Sequence, residues 1–144
     1  MDMRFCENFI NTKTQLSMKE NEISFYVRKS IFSVYNELGP GLLEKVYEKA
    51  LMLELENHGL KVRNQVPMSI KFKDTVIDSS FIADIIVEDK VIIEIKSIQE
   101  ISEVHHKQFL TYLKLSDLKL GILVNFNTDY IAKNIFRKIN GNLD

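Results

Sequence analysis

One cysteine, Cys6, leaves the chain no partner for an internal disulfide. Its apolar runs are a handful of residues, far short of the ~20 that a membrane-spanning helix needs. No N-terminal stretch has the basic, apolar and small-residue order of a secretion signal. The expectation is a soluble, cytoplasmic protein without membrane contact. An excess of either charge is missing too: 19 Lys and Arg stand against 20 Asp and Glu, a formal net charge of -1. That excludes proteins that hold nucleic acid by bulk positive charge, so any such contact must be local. The mild asymmetry lies at the C-terminal end, where Lys107, Lys114, Lys119, Lys133, Arg137 and Lys138 face only Asp117, Asp129 and Asp144. Internal repeats, low-complexity tracts, linkers, helix-turn-helix patterns and zinc-finger spacings are all absent.

What remains is 144 residues, 45% of them hydrophobic, enough for one core and too few for two. Residues 1–20 lack periodicity and read as a poorly ordered appendage, with a single domain over 21–144. Ile23, Val27, Ile31, Val34 and Leu38 recur at spacings of three and four, the stripe of an amphipathic helix that should end at Gly39-Pro40-Gly41. Residues 42–58 form a second helix closed by Gly59, apolar over much of its circumference and so expected to be largely buried.

Residues 62–73, broken by Pro67, read as an edge strand. Residues 81–87 and 91–96 read as a central hairpin. Residues 103–116 return to helical spacing through Val104, Gln108, Tyr112 and Leu115, a stripe expected to cover the sheet, and 119–125 is a further strand. Residues 131–139 fit a helix or a strand, and we read them as a helix. The order is α-α-β-β-β-α-β, an α/β architecture with a mixed sheet flanked by helices.

Three ionisable residues interrupt the apolar hairpin: Asp84, Glu94 and Lys96. Charges in such strands are costly unless paired, coordinated or solvent-facing. Alternation puts Ile92, Glu94 and Lys96 on one face and Val91, Ile93 and Ile95 on the other. A three-residue loop of Glu88, Asp89 and Lys90 pairs Val87 with Val91, and the same register sets Asp84 opposite Glu94. Two carboxylates that close repel each other unless a cation lies between them, and hard oxygen ligands suit Mg²⁺ or Mn²⁺. The alternative is an ion-pair ladder on a solvated sheet face.

Asp84 followed by Glu94-Ile95-Lys96 resembles the D…(D/E)-x-K signature of the PD-(D/E)XK nucleases. Gly41-Leu42-Leu43-Glu44-Lys45-Val46-Tyr47 resembles the motif that names the GxxExxY family of that superfamily. Leu38-Gly39-Pro40-Gly41, Asn64-Gln65-Val66-Pro67, Gln108 to Leu113 and Gly121 to Phe126 follow in the matching order, so the resemblance covers roughly residues 22–139. Ala83 departs from the proline of the superfamily name, and Tyr35 stands where many relatives carry histidine.

The resemblance implies a restriction-endonuclease-like core and metal-dependent hydrolysis of nucleic acid, DNA favoured over RNA, with a homodimer allowed. It implies that Asp84, Glu94 and the Ile95 carbonyl hold Mg²⁺ or Mn²⁺. Lys96 would orient or deprotonate the attacking water, and the products would carry a 5′-phosphate and a 3′-hydroxyl. Glu44 is implied as a further metal or water ligand, with Tyr47 on the same face. From its position it is equally a glutamate that caps the start of its helix. Gln108, expected to face inward, would place water or phosphate beside Lys96. The contrasting expectation is a module of the same fold that binds nucleic acid or a protein partner without cleaving.

Overall fold

The computed structural model describes residues 18–143. Most of the expected appendage, with Cys6, lies outside the described residues. Its last part does not behave as an appendage: Met18 is buried in the core, and its carbonyl accepts a bond from Lys90 Nζ.

Helix α1 spans Glu20–Leu38 and buries Ile23, Val27, Ile31 and Val34, the expected stripe, with Glu20 and Glu22 at the positive end of its dipole. It stops at Gly39, whose φ of 68° and ψ of -172° are open to glycine and costly for other residues. Helix α2 spans Glu44–Asn57. Here the expectation of a largely buried helix fails. Only Tyr47, Leu51 and Leu55 are buried, while Leu43 and Leu53 are 65% and 55% exposed. Spacings of four put the buried three on one narrow stripe, Ala50 and Met52 flank it partly buried, and Leu43, Val46 and Leu53 face solvent.

Strands β1 (Val62–Phe72), β2 (Thr75–Val87), β3 (Val91–Lys96), β4 (Leu120–Asn125) and β5 (Ile135–Ile139) form one sheet in that spatial order. Strands β1 to β3 are antiparallel, β3 and β4 are parallel, and β4 and β5 are antiparallel. The parallel step requires a crossover, supplied by α3 (Glu103–Ser116). The edge strand, β3 and the strand after α3 fall where the sequence puts them, while β2 begins at Thr75, ahead of the expected Phe81. Residues 131–139 do not form the expected helix: one 3₁₀ turn, Ile131–Asn134, leads into β5. The free edge of β4 offers a whole row of ladder partners to this apolar segment, from Leu120↔Ile139 to Val124↔Ile135.

Alternation divides the core. Ile85, Val87, Val91, Ile93, Ile95, Ile122 and Val124 pack with α1 and α2 on one face. Ile86, Ile92 and Leu123 pack with Phe109 of α3 on the other. The covering stripe of α3 is Phe109 and Leu113, not Val104, Gln108, Tyr112 and Leu115; Val104 is 70% exposed. Gly121 explains the choice, since a Cβ there would lie 2.7 Å from Phe109 Cζ. The missing side chain makes a seat for the ring, and the seated ring sets the rotation of the helix.

Candidate active site

The β2–β3 ladder runs Val87↔Val91, Ile86↔Ile92, Ile85↔Ile93. This is the register of a three-residue loop, with Glu88 and Asp89 in left-handed conformations and Lys90 N donating to Val87 O. Continued by one step, it faces Asp84 with Glu94. Backbone pairing ends there, although β3 goes on pairing with β4 as far as Lys96↔Asn125. Asp84 fills the opening. Its Oδ2 accepts the Ile95 N–H at 2.8 Å, in place of the next ladder bond.

Both carboxylates are half-buried, and both are held above their ordinary pKa. Burial is the main cause for each. For Asp84 the Ile95 N–H opposes it, while the charges of Glu48 and Glu44 add to it and Lys96 subtracts. For Glu94, Lys96 opposes burial, and Asp84 and Glu44 add to it. Among the described residues Lys96 makes no ion pair within 4 Å, so its charge acts on both acids through space. A solvated ladder of paired charges is not what the strands present.

Helix α2 delivers the other acids. Glu44 is the first residue of the helix, too early to reach back as a cap, and the helix start has no side-chain cap bond. Glu44 Oε1 instead accepts the N–H of Ser97 at 3.3 Å, just past β3, and Ser97 Oγ donates to Leu42 O at 2.5 Å. Tyr47 does not share the face of Glu44. It is fully buried, stacks on Phe126 with centroids 4.3 Å apart, donates to Gly39 O at 2.6 Å and accepts from Leu42 N at 3.1 Å. In the Gly-x-x-Glu-x-x-Tyr segment the tyrosine thus fastens the turn between the helices, and the glutamate reaches the end of β3. Asn125, 1% exposed, ties the end of β4 to the segment after β3 by pairing both its amide groups with the backbone of Ile98.

Two depressions meet at Asp84. A cleft of about 660 Å³ on the α2 side is lined by Leu43, Glu44, Lys45, Glu48, Gln65, Asp84 and Ile95. A shallow crevice on the α3 side brings in Glu94, Phe109 and Tyr112. Gln108 does not face inward: it stands on the exposed flank of α3 and donates to Tyr112 Oη at 3.0 Å, and Tyr112 stacks on Phe81. It thus adjoins the crevice through Tyr112. His105 caps α3 by accepting Ser102 N–H, and His106 packs edge-on against Phe136. Tyr35 donates to Thr128 O at 2.5 Å.

Glu48 and Gln65 escaped the sequence reading as site residues. Glu48 lies four residues after Glu44, one turn along the same helix face, a signal that was available. Gln65 comes opposite Asp84 only once the β1–β2 register is known, between Asn64↔Ile85 and Val66↔Ala83.

Among the described residues no three His, Cys, Asp or Glu side chains are grouped so as to hold a metal ion by themselves. The donor set at the opening nevertheless fits a hard, hydrated cation. Mg²⁺ typically takes one or two carboxylates and keeps several waters, and here two carboxylates adjoin the Ile95 backbone in a site short of positive charge.

Neither the curated proteins nor the solved structures include a match. The family model of the PD-(D/E)XK nuclease superfamily matches residues 21–138, and the chain belongs to that superfamily.

Proposed function

We propose that the protein is a metal-dependent nuclease of the GxxExxY type that hydrolyses phosphodiester bonds, with DNA as the favoured substrate. The observation that carries this reading is the parting of β2 and β3, where Asp84 and Glu94 share an opening with Lys96 beyond them and, among the described residues, no cation within 4 Å of either carboxylate. Asp84, Glu94 and the Ile95 carbonyl are the residues that would hold Mg²⁺ or Mn²⁺, with Glu44 beside them. When bound, the ion supplies Lewis-acid polarisation of the scissile phosphate and a more acidic attacking water. Lys96, a charged ammonium that donates hydrogen bonds, orients that water, and its charge offsets the negative charge that grows on the phosphate oxygens. Asp84 is held by Ile95 N–H with one oxygen, which presents the other to the opening. Gln108, through Tyr112, borders the side on which a phosphate or water would lie.

The test pairs Mn²⁺ calorimetry with cleavage assays on single- and double-stranded DNA and RNA. Wild type should bind the ion and cleave. Asp84→Ala and Glu94→Ala should lose both properties. Lys96→Ala should keep the ion and lose turnover on the order of 10³-fold. Cleavage that survives in Lys96→Ala and Asp84→Ala alike would remove this site from the reaction.

A further inference from the structure

Gln65 is a non-glycine residue in the left-handed region, with φ 49°, inside a strand. The register does not slip around it, since Asn64↔Ile85 and Val66↔Ala83 keep step. An unbranched L-residue adopts this backbone at a cost, so something must hold it there. Two contacts do. Its Nε2 donates to Glu48 Oε1 at 2.5 Å and lies 3.4 Å from Asp84 Oδ1. Asn64 Nδ2 lies 3.4 Å from the other oxygen of Glu48. One carboxamide with two N–H donors thus bridges two carboxylates that would otherwise repel, and α2 is fastened to β1 through Glu48. With Oδ2 on Ile95 N–H, the carboxylate of Asp84 has a second, longer contact at Oδ1 from Gln65, which favours one orientation and leaves Oδ1 at the opening.

We propose that Gln65 is a positioning residue for Asp84 and that Glu48 positions Gln65, a relay from α2 through β1 to the candidate metal ligand. This rests on the nuclease reading for its catalytic consequence, not for its existence. Groups that orient a metal ligand typically change metal affinity or activity by about 10–100-fold when removed. Gln65→Ala and Glu48→Ala should each weaken Mn²⁺ binding about tenfold. The double variant should be no worse than either single one. Glu48→Gln, which keeps an acceptor for the Gln65 amide, should recover most of the affinity. Gln65→Glu keeps the shape but replaces the donors by a third carboxylate, so it should be worse than Gln65→Ala; a merely space-filling role predicts the reverse order.

The deciding measurement needs no metal: the NMR carboxyl-carbon signal of Asp84 in the ion-free protein, at matched thermal midpoints. It should move equally in Gln65→Ala and Glu48→Ala and return towards wild type in Glu48→Gln. An Asp84 signal that ignores Glu48→Ala, or losses that add in the double variant, would overturn the relay. If wild type binds no Mn²⁺, the nuclease reading falls, and the Asp84 signal still decides whether the relay exists.

Discussion

At its closed end the β2–β3 hairpin holds Asp89 between Lys61, at 3.0 Å, and Arg63, at 2.8 Å, and these cations keep its carboxyl below the ordinary value. At its open end the same two strands hold Asp84 and Glu94, pushed above their ordinary values by burial first. The closed end is neutralised by the chain itself. At the open end Lys96 tempers the acids without touching them, while Glu44 adds further negative charge. The difference teaches where to look for function: a carboxylate matched to a cation serves the fold, and a half-buried pair without one is an arrangement that an outside cation can complete.

The strongest way to break this contrast is to neutralise the open end. A carboxyl whose folded pKa is raised binds protons more readily in the folded state, so it costs stability progressively as pH rises from the unfolded pKa through the folded one. Asp84→Asn and Glu94→Gln remove that cost at neutral pH. Each should lower cleavage on the order of 10³-fold, while the thermal midpoint of the ion-free protein rises by roughly 2–4 °C. Added Mn²⁺ should raise the midpoint of wild type and leave that of Asp84→Asn unchanged. Calorimetric melts at pH 7 check both statements. Midpoints that fall in both variants would mean that the acids stabilise the fold, and the contrast with Asp89 would vanish.

The register of the hairpin was legible in the sequence because it is local, whereas the pairs that hold Asp89 come from residues 26 and 28 positions away. A loop of Glu88, Asp89 and Lys90 between two Ile- and Val-rich runs leaves one pairing, and the ladder follows it from Val87↔Val91 to Ile85↔Ile93. What depended on distant partners was not legible. Phe109 rather than Tyr112 points inward because Gly121, on another strand, makes room for its ring. Residues 131–139 become a strand because β4 has a free edge. The left-handed backbone of Gln65 leaves no trace in composition, and Glu48 gains its meaning only from Gln65. The Gly41 to Tyr47 motif was visible as a pattern, but its division of labour needed the bonds from Tyr47 to Gly39 and Leu42.

That division of labour gives a sharper test of the open end with a smaller effect. Tyr47→Phe keeps the ring on Phe126 and removes the hydroxyl that serves Gly39 O and Leu42 N. The loss should be about 1–3 kcal/mol, because a half-buried turn is left with unmatched backbone groups. Since the same turn sets the start of α2, Glu44 should lose its hold on Ser97 N–H, and cleavage should fall further than stability alone explains. A urea titration read beside turnover at saturating Mg²⁺ separates the two. Equal, small changes in both would assign Glu44 to the fold and not to the opening.

The smallest effect belongs to Asp89. Its folded pKa is lowered, so its contribution is present above the ordinary aspartate value of ~3.9 and is lost as pH falls through the folded pKa. Asp89 is exposed, and exposed pairs are screened by water and salt. Asp89→Asn should therefore cost under about 1 kcal/mol at pH 7, less in 1 M NaCl, and nothing once the wild-type carboxyl is protonated. Its melting profile against pH should converge with wild type on the acid side, whereas Glu94→Gln should converge with wild type there from the opposite direction, having been the more stable protein at neutral pH. Cleavage by Asp89→Asn should match wild type, because the tip lies at the other end of the strands from the opening. Parallel loss of cleavage would mean that the hairpin transmits its tip charge to the carboxylates, and the two ends would then have to be read as one electrostatic unit.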